Sequence, residues 1–427
     1  MKKIFYPSVD QWEEILARPV LSLDEIEKSV LPIMHRVKTE GDLALISFAK
    51  TFDGVVLENL EVTQEEWSKA EGQIDEELKA AIQVAAQNIQ KFHALQQHDE
   101  PVVETQTGVF CWRKSIGIEK VGLYIPGGTA PLFSTVLMLA IPAKIAGCKE
   151  VVLCSPPNKE GNIHPAILYA AQLTGVDKVF KAGGAQAIAA MTFGTESIPK
   201  AYKILGPGNQ YVMAAKQLAL KYGVSIDMPA GPSEVAVIAD HTANPQFIAA
   251  DLLSQAEHGN DSQVILFTDS EEILNQVETA VEKQLSDLSR ANFASKALEN
   301  SKLILVKDLD EAMEMSNAYA PEHLILQVEN PEKLAEQVVN AGSVFLGHLT
   351  PESAGDYASG TNHTLPTNGY ARAYSGVSLD TFVKKVTFQK ITSEGLKNIG
   401  PVIEKMATAE ELDAHKNAVT LRLNSLS

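Results

Sequence analysis

The chain has 427 residues, enough for two or three domains with substantial cores. Its 45% hydrophobic and 21% charged content is that of a soluble globular protein, and a net charge of −18 excludes the clustered basic surface that nucleic acid requires. Three cysteines (Cys111, Cys148 and Cys154) without a CxxC pair fit a reducing cytoplasm, and the N-terminus lacks the apolar core of a signal peptide.

Residues 1–100 are expected to be mostly helical, with clear helical periodicity at 78–92. A short β-rich stretch follows near 108–113. The most apolar run, 131–148, is broken by Pro142 and Lys144 and predicts a buried helix rather than a membrane span. From 121 onwards strands alternate with helices: strands at 121–125, 150–154, 178–180, 202–205 and 224–226, and helices at 165–174, 185–192 and 211–222. Such alternation means βαβ units and a parallel sheet. The pattern restarts with a strand at 234–239 and a helix opened by Asn244 and Pro245, an N-cap followed by proline at the first helical position. Strands at 264–267, 303–306, 324–328 and 343–346 continue it. The fold class is therefore α/β with two Rossmann-like parallel sheets, and Ala230-Gly-Pro-Ser233 is the expected crossover. Beyond 379 a β-like piece leads to Thr408-Ala-Glu-Glu411, a capping-box signature that predicts a helix over 412–422.

Polar side chains cluster at four places. Asp251, Gln255 and His258 are spaced i, i+4, i+7, one stripe on one helix face. That stripe is either half of a metal or substrate site or, as most polar stripes are, a solvated face. Glu322 and His323 follow Pro321, which should push Ala320 into an extended conformation. In a regular strand the pair would point to opposite faces, so sharing a site requires a turn. Asp356 and His363 lie in a glycine-rich loop, where Asp356 is equally a turn or N-cap residue. Glu410 and His415 lie in the tail, and a lone histidine on an apolar helix face, such as His415, is more often a satisfied core residue. Three glycine turns, Tyr124-Ile-Pro-Gly-Gly128, Ala182-Gly-Gly-Ala-Gln186 and Gly206-Pro-Gly-Asn209, follow strands and precede helices. They suit phosphate or serve only as tight turns, and none is GxGxxG. Nothing near the cysteines activates a thiol, so all three read as packing residues.

In order along the chain, Val121-Gly-Leu-Tyr-Ile-Pro-Gly-Gly128, Gly206-Pro-Gly-Asn-Gln-Tyr-Val212, Ala230-Gly-Pro-Ser-Glu234, Leu253-Ser-Gln-Ala-Glu-His-Gly259, Ala320-Pro-Glu-His-Leu324, Gly360-Thr-Asn-His-Thr-Leu-Pro-Thr367 and Ala414-His415 resemble the histidinol dehydrogenase family. The resemblance implies oxidation of L-histidinol to L-histidine by two NAD-dependent hydride transfers through L-histidinaldehyde. It implies one zinc ion per subunit, held by Gln255, His258, Asp356 and His415. His323 would be the base and Glu322 would activate water. Ser233, Gln255, His258, His323, Asp356, Glu410, His415 and His363 would contact substrate, and Tyr124, Gln186 and Asn209 would line the NAD site. It further implies a homodimer with shared active sites, in which Glu410 and His415 serve the partner's site. Residues 1–20 would pack with the tail, 21–123 and 235–377 would form the first α/β domain with most of the zinc and catalytic residues, 124–234 the NAD-binding domain, and 378–427 a dimerisation tail swapped into the partner.

These residue types suit the chemistry. Histidine titrates in the range a neutral-pH base needs, and zinc takes histidine and carboxylate ligands. A glutamine ligand is uncommon and leaves room for substrate nitrogens. Three competing readings are a zinc hydrolase in which Glu322 activates water, a thiol-dependent aldehyde dehydrogenase using Cys111 or Cys148, and a non-enzymatic binding protein built on an α/β sheet.

Overall fold

The computed structural model describes residues 1–19, 23–127 and 130–426, so Gly128 of the first glycine turn lies outside the described residues. The chain divides into two compact units, one of residues 1–96 and 118–382 and one of 97–117 and 383–427.

The larger unit holds two wholly parallel sheets. The six-stranded sheet runs Lys2–Phe5, Lys302–Leu305, Gln263–Thr268, Glu234–Ala239, His323–Gln327, Ser343–Leu346. The five-stranded sheet runs Lys178–Lys181, Glu150–Ser155, Lys120–Tyr124, Lys203–Leu205, Ser225–Ile226. The central strands are apolar on both faces, as parallel strands covered by helices must be. The run read as a buried helix forms Phe133–Ile145, with all but its C-terminal end packed in the core. No described helix is long and apolar enough to cross a membrane.

The N-terminal part departs from expectation twice. Lys2–Phe5 is an edge strand of the six-stranded sheet, paired with Lys302–Leu305, in a stretch expected to be mostly helical. The helices between 23 and 94 bury their apolar faces on the five-stranded sheet: Val30, Met34 and Val37 pack with Ile188 and Leu218, and Ile82 and Ile89 with the core around Val136. Residues 23–96 and 118–123 thus stand with the second sheet, of which strand Lys120–Tyr124 is the centre, while 97–117 belong to the smaller unit. Sequence adjacency misled here, because a helical layer carries no mark of which sheet it will cover.

The smaller unit is an antiparallel sheet of Val103–Gln106, Val109–Gly117 and Val383–Ile391, followed by helices Ser393–Ala409 and Asp413–Asn424. The capping box does not form. Thr408 lies in the last turn of the first helix, where its hydroxyl bonds back to the Glu404 carbonyl. Glu411 takes a left-handed φ of 59°, and the next helix starts at Asp413 without a side-chain cap.

The two sheets present opposite edges to one cavity. In the five-stranded sheet, strand order reverses beside Lys120–Tyr124, and the cavity takes Pro126, Gly206 and Asn209 from the C-terminal ends there, the usual crevice of an open α/β sheet. From the six-stranded sheet it takes Ser233, Glu234, Glu322 and His323, which lie at the starts of strands. A helix returning from a parallel strand ends at that same edge, which brings the last turn of Pro245–Ala256 to the cavity.

Candidate active site

The cavity measures about 370 Å³ and is lined by Ser233, Gln255, His258, Glu322, His323, Asp356, His363 and Asn209, among others. Three of the four polar clusters converge on it. Gln255 and His258 arrive from the C-terminal end of Pro245–Ala256. Asp356 lies in a short helix, Glu352–Tyr357, not in a loop; Gly355 is accommodated there because a Cβ would meet the Phe345 ring at 2.8 Å.

Glu322 and His323 share the site because the chain turns before the strand. The turn is not the extended one expected from Pro321. Ala320 caps the preceding helix in the left-handed region, φ 55° and ψ 67°. Glu322 Oε2 then lies 3.6 Å from His323 Nδ1 and accepts a hydrogen bond from the Glu234 N–H at 2.9 Å.

The tautomer of His323 follows from its partners. Nδ1 lies 3.1 Å from the carbonyl oxygen of Glu234, which can only accept, so Nδ1 carries a proton. Nε2 is buried with no hydrogen-bond partner, and faces Asp356 Oδ1 at 3.6 Å and Glu352 Oε1 at 3.8 Å. It is the atom left to exchange a proton with a ligand. His363 is pinned differently: Nδ1 donates to the Asp356 carbonyl at 2.8 Å and Nε2 lies 3.0 Å from Thr135 Oγ1.

Electrostatics set the charges. Burial opposes the His323 imidazolium, but Glu322, Asp356 and Glu352 outweigh it and push its pKa up to about 10. Burial likewise pushes Glu322 up to about 8, against the pull of His323. Burial and repulsion from Asp356 hold Glu352 near 8. Burial also disfavours the Asp356 carboxylate, yet the His323 ring facing it at 3.6 Å and the charges on His363 and His323 win, and Asp356 titrates well below the usual carboxylate range. His258 opens onto the cavity, but enough protein surrounds its ring to lower its pKa.

These groups suit a divalent cation. Gln255 Nε2 donates to Glu352 Oε1 at 2.6 Å, which leaves Gln255 Oε1 buried and without a partner. An orphaned amide oxygen, a neutral imidazole and an ionised carboxylate, two of them at the negative end of a helix, form a cation-seeking set. Separately, ligand atoms of His323, Glu352 and Asp356 lie within 4.8 Å of one another. The sequence reading missed Glu352. Its i, i+4 spacing from Asp356 was visible, but the glycines around Asp356 had suggested a loop.

Asp251 is not a solvated residue. It is buried and accepts from Gln327 Nε2 at 2.8 Å, and burial pushes its pKa up to about 6. Of the expected NAD contacts, Asn209 lines the cavity and caps Gln210–Lys221. Tyr124 ends its strand with its hydroxyl accepting from the Gly184 N–H at 3.0 Å, and Gln186 is buried in the first turn of Gly184–Phe193. Glu410 and His415 stand in the smaller unit, both exposed. His415 is thus not a core histidine. No cysteine is among the residues lining the cavity; burial raises Cys148 to about 11 and Cys154 further, so neither is a nucleophile.

The sequence pattern that defines histidinol dehydrogenase matches residues 16–423. The chain belongs to the histidinol dehydrogenase family. It is 66% identical over 426 residues to the histidinol dehydrogenase of Bacteroides thetaiotaomicron, covering 100% of both chains. It is 53% identical to that of Escherichia coli, over 98% of this chain and 96% of the other. The crystal structure of histidinol dehydrogenase from Elizabethkingia anophelis superposes with a TM-score of 0.97 at 58% identity, covering 100% of this chain and 98% of that one. Membership of the histidinol dehydrogenase family makes the chain an oxidoreductase of this type, in agreement with the family resemblance read from the motifs.

Proposed function

We propose that the chain oxidises L-histidinol to L-histidine in two successive NAD-dependent steps through L-histidinaldehyde, the last two steps of histidine biosynthesis. The observation that carries the reading is His323, whose Nδ1 is fixed by a backbone carbonyl and lies beside Glu322 while Nε2 is left free, facing Asp356 and Glu352.

In the first oxidation the hydroxyl proton of histidinol passes to His323 Nε2 as hydride leaves the carbinol carbon for NAD. Glu322 then takes a proton from water as it adds to the aldehyde carbonyl, and His323 Nε2 returns its proton to the carbonyl oxygen, giving a gem-diol and leaving the imidazole free to act again. His323 removes a hydroxyl proton again, and a second hydride leaves for a second NAD. The balance is one alcohol, one water and two NAD converted to one carboxylate, two NADH and three protons. A carboxylic acid kept partly protonated by burial and an imidazole poised beside it suit this traffic.

Gln255, His258 and Asp356 would hold a zinc ion, with His415 from a second copy as the fourth ligand. When bound, zinc would fix the imidazole and amine nitrogens of histidinol and offset the carboxylate charge that keeps His323 protonated. Ser233, His363 and Glu410 would complete the substrate contacts, Glu410 again from a second copy. Tyr124, Gln186 and Asn209 would contact NAD at the C-terminal edge of the five-stranded sheet. The reading is thus of a homodimer with shared sites, its tail at 378–427 exchanged. Three free cysteines fit a cytoplasmic setting.

Metal analysis of the purified protein, combined with NADH formation on adding histidinol and NAD, tests this. Zinc near one equivalent per chain and two NADH per histidinol are expected. No NADH from metal-replete protein would favour the hydrolase reading instead.

A further inference from the structure

Glu234 touches both members of the acid–base pair through its backbone: its N–H holds Glu322 Oε2 at 2.9 Å, and its carbonyl holds His323 Nδ1 at 3.1 Å. Its own side chain is buried and is gripped by Arg18. Arg18 Nε lies 2.5 Å from Glu234 Oε1 and Nη2 lies 2.8 Å from Oε2, a bidentate pair with only 12% of the Arg18 side chain exposed. The Asn368 N–H adds a third bond to Glu234 Oε1 at 2.8 Å.

Arg18 also reaches the pair from the other side. Nη2 donates to the carbonyls of Tyr319 at 2.8 Å and Ala320 at 3.4 Å, and the guanidinium lies 3.9 Å over the Tyr319 ring. Tyr319 is anchored in turn, its hydroxyl donating to Gln263 Oε1 at 3.0 Å. Ala320 is the left-handed residue on which the turn into Glu322 and His323 depends. A non-glycine residue holds that conformation only when its surroundings enforce it. A buried ion pair adds little stability over a well-packed apolar pair, so its value lies in orientation.

We propose that Arg18 is a positioning residue for the reaction: through its fork on Glu234 and its bonds to the Tyr319 and Ala320 carbonyls, it fixes Glu322 and His323 relative to each other. The proposal rests on the acid–base reading of that pair given above. Arg18 acts through Glu234 and need not touch a reacting atom. Lysine cannot replace it fully, because a single ammonium cannot span both carboxylate oxygens and the two carbonyls.

The test compares Arg18→Met, Arg18→Lys and Glu234→Gln with the wild-type protein, all loaded with metal. In Arg18→Met, kcat should fall by about 10–100-fold while KM for histidinol and NAD stays within about threefold, the pattern of lost transition-state geometry. Arg18→Lys should lie between Arg18→Met and wild type, and millimolar guanidinium should restore part of kcat to Arg18→Met but not to Glu234→Gln. If Arg18→Met fails to fold, the same split is read in Arg18→Lys. A kcat within twofold of wild type, or a rise in KM alone, would overturn the proposal; the latter would make Arg18 a ligand contact. A readout without turnover separates this from the function itself. The downfield Nδ1–H proton resonance of His323, assigned by its loss in His323→Gln, should shift or vanish in Arg18→Met. An unchanged resonance refutes the positioning role even if histidinol proves not to be the substrate, and a changed one supports it in either case.

Discussion

Gln255 and Glu352 are joined by a 2.6 Å hydrogen bond in which the amide nitrogen donates, and Ser254 Oγ holds the other Glu352 oxygen at 3.0 Å. The bond decides which end of the amide faces the cavity. Without it the two ends of Gln255 are nearly isosteric, and half the orientations would aim an NH2 group at a cation.

Glu352→Ala should therefore weaken zinc binding by about 10–100-fold, the usual cost of losing a partner that orients a ligand. Competition with a chromogenic chelator measures it without any turnover. Affinity within twofold of wild type would show that Gln255 is oriented by something else.

His258→Ala removes one of the three proposed cavity ligands and should leave metal substoichiometric after dialysis, with an unchanged far-ultraviolet circular dichroism spectrum. Chelation of the wild-type protein should abolish histidinol oxidation, and zinc should restore it. Full metal content in the variant would contradict the ligand set.

Glu322→Gln retains an acceptor for the Glu234 N–H but cannot take a proton from water. Oxidation of added histidinaldehyde should drop by at least about 100-fold, within the range for a lost general base, while the first NADH burst from histidinol falls less. Equal losses in both steps would assign Glu322 to orientation alone.

Asp251 offers a stability test. Burial raises its folded-state pKa to about 6, above the unfolded value, so its contribution to stability is fully present below about pH 4 and is lost as pH rises through 6. Asp251→Asn removes that loss and still accepts a bond from Gln327. The variant should gain on the order of 3 kcal/mol relative to wild type between pH 4 and 7.5. Melting temperatures of the two proteins across that range decide it; parallel curves would mean that Asp251 does not titrate as its burial dictates.

Much of this was legible along the chain. Alternating apolar strands and helices gave both parallel sheets, because a strand covered on both faces must be apolar throughout, as Glu234–Ala239 nearly is. The helical spacing of Gln255 and His258 survived into the cavity because a helix preserves its own periodicity. What failed depended on contacts distant in sequence. Arg18 and Glu234 are 216 residues apart, and no local pattern joins them. Asp251 carries the same spacing as Gln255, yet its fate was set by Gln327 on a strand 76 residues on. Thr408 had a capping-box spacing, but the helix before it simply continued through.

His415 and Glu410 bear on the shared site. Both are exposed in the tail, whereas the other three proposed zinc ligands, Gln255, His258 and Asp356, line the cavity of the larger unit. If the tail of each copy serves its partner, a dimer of one His258→Ala chain and one His415→Ala chain holds one site with both lesions and one intact site. Each variant alone should be inactive. After random subunit exchange half the dimers are mixed, so activity should return to roughly a quarter of wild type, as closed two-fold assembly requires. Exchange is verified separately by mass spectrometry of differently tagged chains. Proven exchange without any recovery would place His415 in its own chain's site, or in none.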